Sequence, residues 1–117
     1  MTALELRYYQ SSTGQQPFVD WLQDLKDRQA RTRIQARLAR VAVGNLGDVQ
    51  GVGEGVMELR VDWGPGYRIY FSRVEPAIIL LLCGGDKRTQ QKDIDRAKAC
   101  FKDYKARSAK NNPRGRT

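Results

Sequence analysis

Arginine occurs at positions 60 and 68, on either side of the turn Trp63-Gly64-Pro65-Gly66. Before the turn, apolar Met57, Leu59 and Val61 alternate with Glu58, Arg60 and Asp62. After it, Tyr67, Ile69 and Phe71 alternate with Arg68, Tyr70 and Ser72. A period of two marks a pair of strands, each with one apolar face. Matching those faces pairs Leu59 with Ile69 and Val61 with Tyr67, which puts Arg60 opposite Arg68 on the other face. Like charges directly opposite destabilise a hairpin, so something must compensate. Glu58 and Asp62 can do so as flanking, solvated ion pairs. Alternatively, the two guanidinium groups await a phosphate, which forked planar donors bind well. Tyr70 shares their face and can stack on a base or donate a hydrogen bond.

A second cluster, GGDKRTQQ, occupies residues 84–91. Paired glycines let a backbone approach a ligand closely, and a helix beginning just beyond offers free N–H groups to an anion. Lys87 would then be a phosphate ligand or proton donor. The same residues also read as a strand-to-helix connection capped by Asp86 or Thr89. No GK[ST] follows a glycine at P-loop spacing, and GVGEG at residues 51–55 fails the dinucleotide-binding pattern, so nucleotide binding has no support. The chain contains no histidine. That excludes a histidine-dependent triad, a zincin and a two-histidine ribonuclease. RNA cleavage remains chemically open, because the 2′-hydroxyl is the nucleophile and Arg and Lys can stabilise the phosphorane. Proton transfer would fall to lysine, tyrosine or a carboxylate with a shifted pKa.

The elements that must position these groups are legible along the chain. Leu4, Leu6 and Tyr8 alternate with Glu5 and Arg7 as a short strand. Pro17 suits a first helical turn, and Phe18, Trp21, Leu22 and Leu25 form an apolar stripe. A second helix buries Ile34, Leu38 and Val41, with Arg33, Arg37 and Arg40 on the adjacent face, either as a solvated flank or as a nucleic-acid contact. Residues 44–55 hold five glycines and read as a loop. The two hairpin strands follow, and Glu75-Pro76 marks another turn. The continuous apolar run of residues 77–83 reads as a central strand covered on both faces, ended by Gly84-Gly85. From about Thr89 a helix carries Ile94, Ala97, Phe101 and Tyr104 on one stripe. The expected order is β-α-α-β-β-β-α, an α+β domain with a mostly antiparallel sheet packed with helices. Residues 1–107 form this single domain, and residues 108–117 form a basic disordered tail.

Charge is unevenly distributed. Basic and acidic residues cancel through Asp86, ten against ten, whereas residues 87–117 carry eleven Lys and Arg against three Asp, so the net charge of +8 sits at the C-terminal end. A polyanionic partner is favoured. Cys83 and Cys100 belong to no zinc-ligand spacing and read as buried thiols. The N-terminus lacks the layout of a signal peptide, and no apolar run spans a bilayer, so a cytoplasmic protein with no membrane association is expected.

ELRVDWGPGYRIYF at residues 58–71, followed by LLLCGGDKRTQQKDIDRAK at residues 80–98, resembles the RelE/ParE toxin superfamily and its HigB-like addiction-module killer branch. The resemblance covers nearly the whole chain. It implies a microbial-ribonuclease-like fold and ribosome-dependent cleavage of messenger RNA without metal or other cofactor. It also implies neutralisation by a cognate antitoxin, often a helix-turn-helix protein, through which alone operator DNA would be bound. It assigns catalysis to Arg68, Lys87 and Arg60. RelE places a tyrosine in the last helix region where this chain has Lys92-Asp93-Ile94, so Tyr70, read from the hairpin as a further catalytic residue, Lys87, Asp93 or the ribosome would be the proton acceptor. The candidate RNA contacts are Arg33, Arg37, Arg40, Arg88, Gln90 and Lys92. Two alternatives stand beside the nuclease: a ParE-like inhibitor of DNA gyrase, and a non-catalytic RNA-binding module acting through the basic helix and tail.

Overall fold

The computed structural model describes residues 3–111. Five strands form one sheet in the order β1-β5-β4-β3-β2. The strands are β1 (Glu5–Tyr8), β2 (Val49–Gly53), β3 (Val56–Val61), β4 (Tyr67–Glu75) and β5 (Ile78–Asp86). Helices α1 (Pro17–Asp24) and α2 (Arg28–Ala42) lie between β1 and β2, and a single 3-10 turn, Lys87–Thr89, leads from β5 into α3 (Gln90–Asn111). β1 runs parallel to β5 and every other pairing is antiparallel.

The sheet is covered on both faces. Phe18 of α1 and Ala30, Ile34, Leu38 and Val41 of α2 pack on Leu59, Val61, Ile69, Phe71, Ile79 and Leu81. On the other face, Ile94, Ala97, Cys100 and Phe101 of α3 pack on Val56, Tyr70, Leu80, Leu82 and Cys83. Leu82 and Cys83 both face α3 because a bulge interrupts the ladder, which pairs Phe71 with Leu81 but Tyr70 with Cys83. Local chemistry sets the helix ends. Pro17 occupies the first turn of α1, and the Asp27 carboxylate accepts from the N–H groups of Gln29 and Ala30 to cap α2.

Four expectations change. The glycine-rich stretch contains β2, paired with β3 through Val49–Leu59 and Gln50–Glu58, with a bulge at Gly51–Gly53. Edge pairing makes this strand, since its own side chains carry no apolar alternation. Gly84 and Gly85 lie within β5, opposite Ile69 and Arg68, rather than ending it. They are glycines because a Cβ on Gly84 would sit inside the Trp21 indole and one on Gly85 against the Asp93 carboxylate. At the end of β1 it is Tyr9, not Tyr8, that is buried, with its hydroxyl donating to Asp103 of α3. α3 runs on through Asn111, so residues 108–111 of the expected tail are helical, and residues 112–117 lie outside the described residues.

Among the described residues no helix is long and apolar enough to cross a membrane. Cys83 and Cys100 are free and buried, and burial pushes the Cys83 thiol up to about 12 and raises that of Cys100 as well. Both therefore remain protonated at pH 8, where only thiolates react. A thiol-specific disulfide reagent should react with neither cysteine in native protein and with both after denaturation. Gly84→Ala should lower the free energy of unfolding by roughly 1–3 kcal/mol through overpacking against Trp21, read from urea denaturation.

Candidate functional site

The β3–β4 hairpin has the register that burial of its apolar face demands. Leu59 pairs with Ile69, Val61 with Tyr67, and Arg60 lies opposite Arg68. Gly64 and Gly66 take positive φ angles of 56° and 82°, and the Gly66 N–H closes the turn on the Trp63 carbonyl. Gly66 also separates Arg68 from Lys87: a methyl group there would stand 3.8 Å from both Arg68 Nη1 and Lys87 Cβ. Arg60, Arg68 and Lys87 thus line one cleft of about 390 Å³, rimmed by the turn and by Asp48 and Asp62. The two aspartates are exposed. A larger depression of about 800 Å³, between Leu4, Val43 and Pro76, has Arg73 as its one cationic side chain among the described residues. That guanidinium is already bonded to the Pro76 carbonyl, so no charges converge there.

The compensation for the Arg60–Arg68 repulsion is Glu58. Its Oε1 accepts from Arg60 Nε at 3.3 Å and its Oε2 lies 3.4 Å from Arg68 Nε. The same Oε2 accepts from the Tyr70 hydroxyl at 3.0 Å and from Gln90 Nε2 at 2.8 Å. Glu58 is fully buried, so it is no solvated ion pair as expected from the sequence. A carboxylate out of water persists only with partners on its oxygens, and here four groups supply them. Asp62, the other expected compensator, remains at the rim.

Tyr70 requires a correction. Its ring is fully buried under α3, so it presents no face to a base. Burial and the hydrogen bond to Glu58 both push its pKa strongly upward, so the hydroxyl stays protonated and donates. Asp93 is also buried, accepting from Thr89, and is no cleft carboxylate.

The candidate RNA contacts divide. Arg33, Arg37 and Arg40 line a second depression of about 350 Å³, which shares Asp48, Arg60, Val61 and Asp62 with the cleft. Arg33 lies 3.9 Å over the Trp63 ring, and Arg40 is exposed. Arg37 is buried, with its guanidinium turned inward onto the Leu46 carbonyl, so it holds the loop before β2 rather than extending from a solvated flank. Arg88 is paired with Asp86 at 3.0 Å, and this contact holds the Asp86 carboxyl below its usual range. Arg88 and Lys92 line neither depression, and Gln90 reaches in to Glu58 instead of out. Asp86 does cap the 3-10 turn, accepting from the Arg88 N–H. Glu58 itself was not among the expected site residues. Its signal was its place in the register, opposite Tyr70 and next to the two arginines on the same face, two pairs along the ladder. Among the described residues no group of three or more His, Cys, Asp or Glu side chains could hold a metal ion.

No family model matches the chain. An uncharacterized protein of Haemophilus influenzae is 48% identical over 81 residues, covering 69% of this chain and 82% of that protein. The chain belongs to the same family as this protein.

Glu58→Ala leaves the buried Arg68 without its counter-charge and Tyr70 and Gln90 without their acceptor, and should lower the free energy of unfolding by roughly 3–5 kcal/mol. Asp62→Ala, at an exposed rim position, should change it by less than about 0.5 kcal/mol. Equal effects in chemical denaturation would show that the charge balance rests elsewhere.

Proposed function

We propose that this chain is the toxin of a type II toxin-antitoxin module, with a RelE-like fold, and that it acts in the cytoplasm as an endoribonuclease on messenger RNA held by the ribosome. The observation that carries the reading is the convergence of Arg60, Arg68 and Lys87 on one cleft over a buried carboxylate. Such a cleft suits a phosphodiester better than a neutral substrate. Cationic donors placed around a phosphate stabilise the extra negative charge of a phosphorane, an effect worth about 10²–10³-fold in rate for a single donor.

In the proposed reaction the 2′-oxygen attacks the adjacent phosphorus as its proton leaves. The bond from phosphorus to the 5′-oxygen breaks, giving a 2′,3′-cyclic phosphate, and Lys87 returns a proton to the departing 5′-oxygen. Arg68 and Arg60 face the phosphoryl oxygens. Tyr70 and Asp93 are excluded as proton acceptors by their burial, which leaves the rim carboxylates Asp48 and Asp62 or a group of the ribosome. The ribosome would bend the RNA into line, and positioning alone can contribute several powers of ten. The adjoining depression with Arg33 and Arg40 offers a continuation of the track for the RNA backbone. A cognate antitoxin of helix-turn-helix type would silence the cleft by covering its cations, and operator DNA would be bound only by that complex.

Induced expression followed by transcript-end mapping tests the reading. Wild-type chain should produce new cuts within translated messages, and Arg68→Ala or Lys87→Ala should each reduce them by about 10²-fold or more. Arg88→Ala, outside the cleft, should leave them. Intact messages together with inhibited supercoiling would replace the nuclease with a gyrase inhibitor. RNA binding that is lost only on removal of residues 108–117 would favour a binding module.

A further inference from the structure

More donors crowd Glu58 Oε2 than that oxygen can serve. A carboxylate oxygen offers about two lone-pair sites. The Tyr70 hydroxyl and the Gln90 amide take them at 3.0 and 2.8 Å. Arg68 Nε stands 3.4 Å from the same oxygen without hydrogen-bond alignment, and among the described residues it is the buried side-chain polar atom left with no hydrogen-bond acceptor. The rest of the guanidinium is scarcely better held, since Nη1 reaches the Gly66 carbonyl only at 3.4 Å. An unpaired buried N–H on a cation is costly, and a small shift of Arg68 onto Glu58 would satisfy it if a lone pair were free. Two neutral donors from two different elements, Tyr70 of β4 and Gln90 of α3, occupy the place where that bond would form.

We propose that Glu58, with Oε2 saturated by Tyr70 and Gln90, is the positioning residue of the cleft. Its charge holds the Arg60–Arg68 pair together, while the two neutral donors keep Arg68 from hydrogen-bonding to it. Arg68 is therefore held beside Glu58 by charge, without a directed bond to the carboxylate. Its cleft-facing nitrogens can close on a phosphate without first giving up a hydrogen bond to a carboxylate. This inference rests on the reading of the cleft as a phosphate site. Tyr70 and Gln90, expected from the sequence to meet RNA directly, act instead through Glu58.

The test uses the full chain, inorganic phosphate as the probe, and the ¹H–¹⁵N resonance of Arg68 Nε. In wild type that resonance should lie where a non-hydrogen-bonded guanidinium N–H lies, and phosphate should move it. Tyr70→Phe frees one lone pair on Oε2, as does Gln90→Ala. Each variant should shift the free-state resonance downfield as the Nε–H···Oε2 bond forms and weaken phosphate binding by roughly tenfold to a hundredfold, the scale of one charge-assisted hydrogen bond. Because one freed lone pair suffices, the double variant should lose no more affinity than either single one. Gln90 lies partly exposed at the start of α3, so its variant keeps the test decisive if Tyr70→Phe does not fold. Folded variants with wild-type phosphate affinity and an unmoved Nε resonance would overturn the proposal, as would a wild-type resonance already in the bonded range or indifferent to phosphate. No RNA cleavage enters this measurement, so its failure is separable from failure of the nuclease reading, which transcript mapping decides.

Discussion

Two guanidinium groups facing each other across a hairpin constitute a conflict that the surrounding structure must resolve, and much of the molecule is arranged around the resolution. The conflict cannot be relieved by sliding the strands. Leu59, Val61, Ile69 and Phe71 are buried on the opposite face, and a slip of one residue would turn that whole set outward. Core packing on the α1–α2 side thus forces Arg60 against Arg68 on the α3 side. Glu58, two pairs further along and on the same face, accepts the consequence by lying fully buried with both arginines beside it. Removing a carboxylate from water is unfavourable in isolation, and its retention here depends on every nearby donor.

Those donors tie three elements to one carboxylate. Arg60 belongs to the same strand, Arg68 and Tyr70 to the next, and Gln90 to the first turn of α3. The bond from Gln90 ties the first turn of α3, directly after the turn that carries Lys87, to this carboxylate. The glycines of β5 serve the same geometry. With no Cβ at Gly84 the indole of Trp21 closes on the sheet from one side, and with none at Gly85 the Asp93 carboxylate closes from the other. Lys87, just past the end of β5, lines the same cleft as Arg60 of β3 and Arg68 of β4.

The electrostatic result is a cleft lined by three cations, two of them paired with a buried carboxylate that does not itself reach the surface, and with carboxylates at its rim. Guanidinium and ammonium groups remain charged across the physiological range, so anion attraction here needs no histidine. The chemistry proposed for the cleft is one of charge stabilisation and alignment.

Period-two alternation and a glycine-proline turn were sufficient to establish the hairpin, its register and the facing arginines, because burial of one face and turn geometry are local constraints written in neighbouring residues. The amphipathic helices were legible for the same reason. Other features depended on elements distant in the chain. β2 exists because β3 offers it an edge, and its glycine-rich residues carry no signal of their own. Tyr70 and Glu58 alternate as polar positions do, and only the docking of α3, some twenty residues or more away, makes their face an interior. The same docking turned Gln90 inward and left Arg88 and Lys92 outside. Strand periodicity identifies the two faces of a strand, and what lies over the second face is decided by tertiary packing.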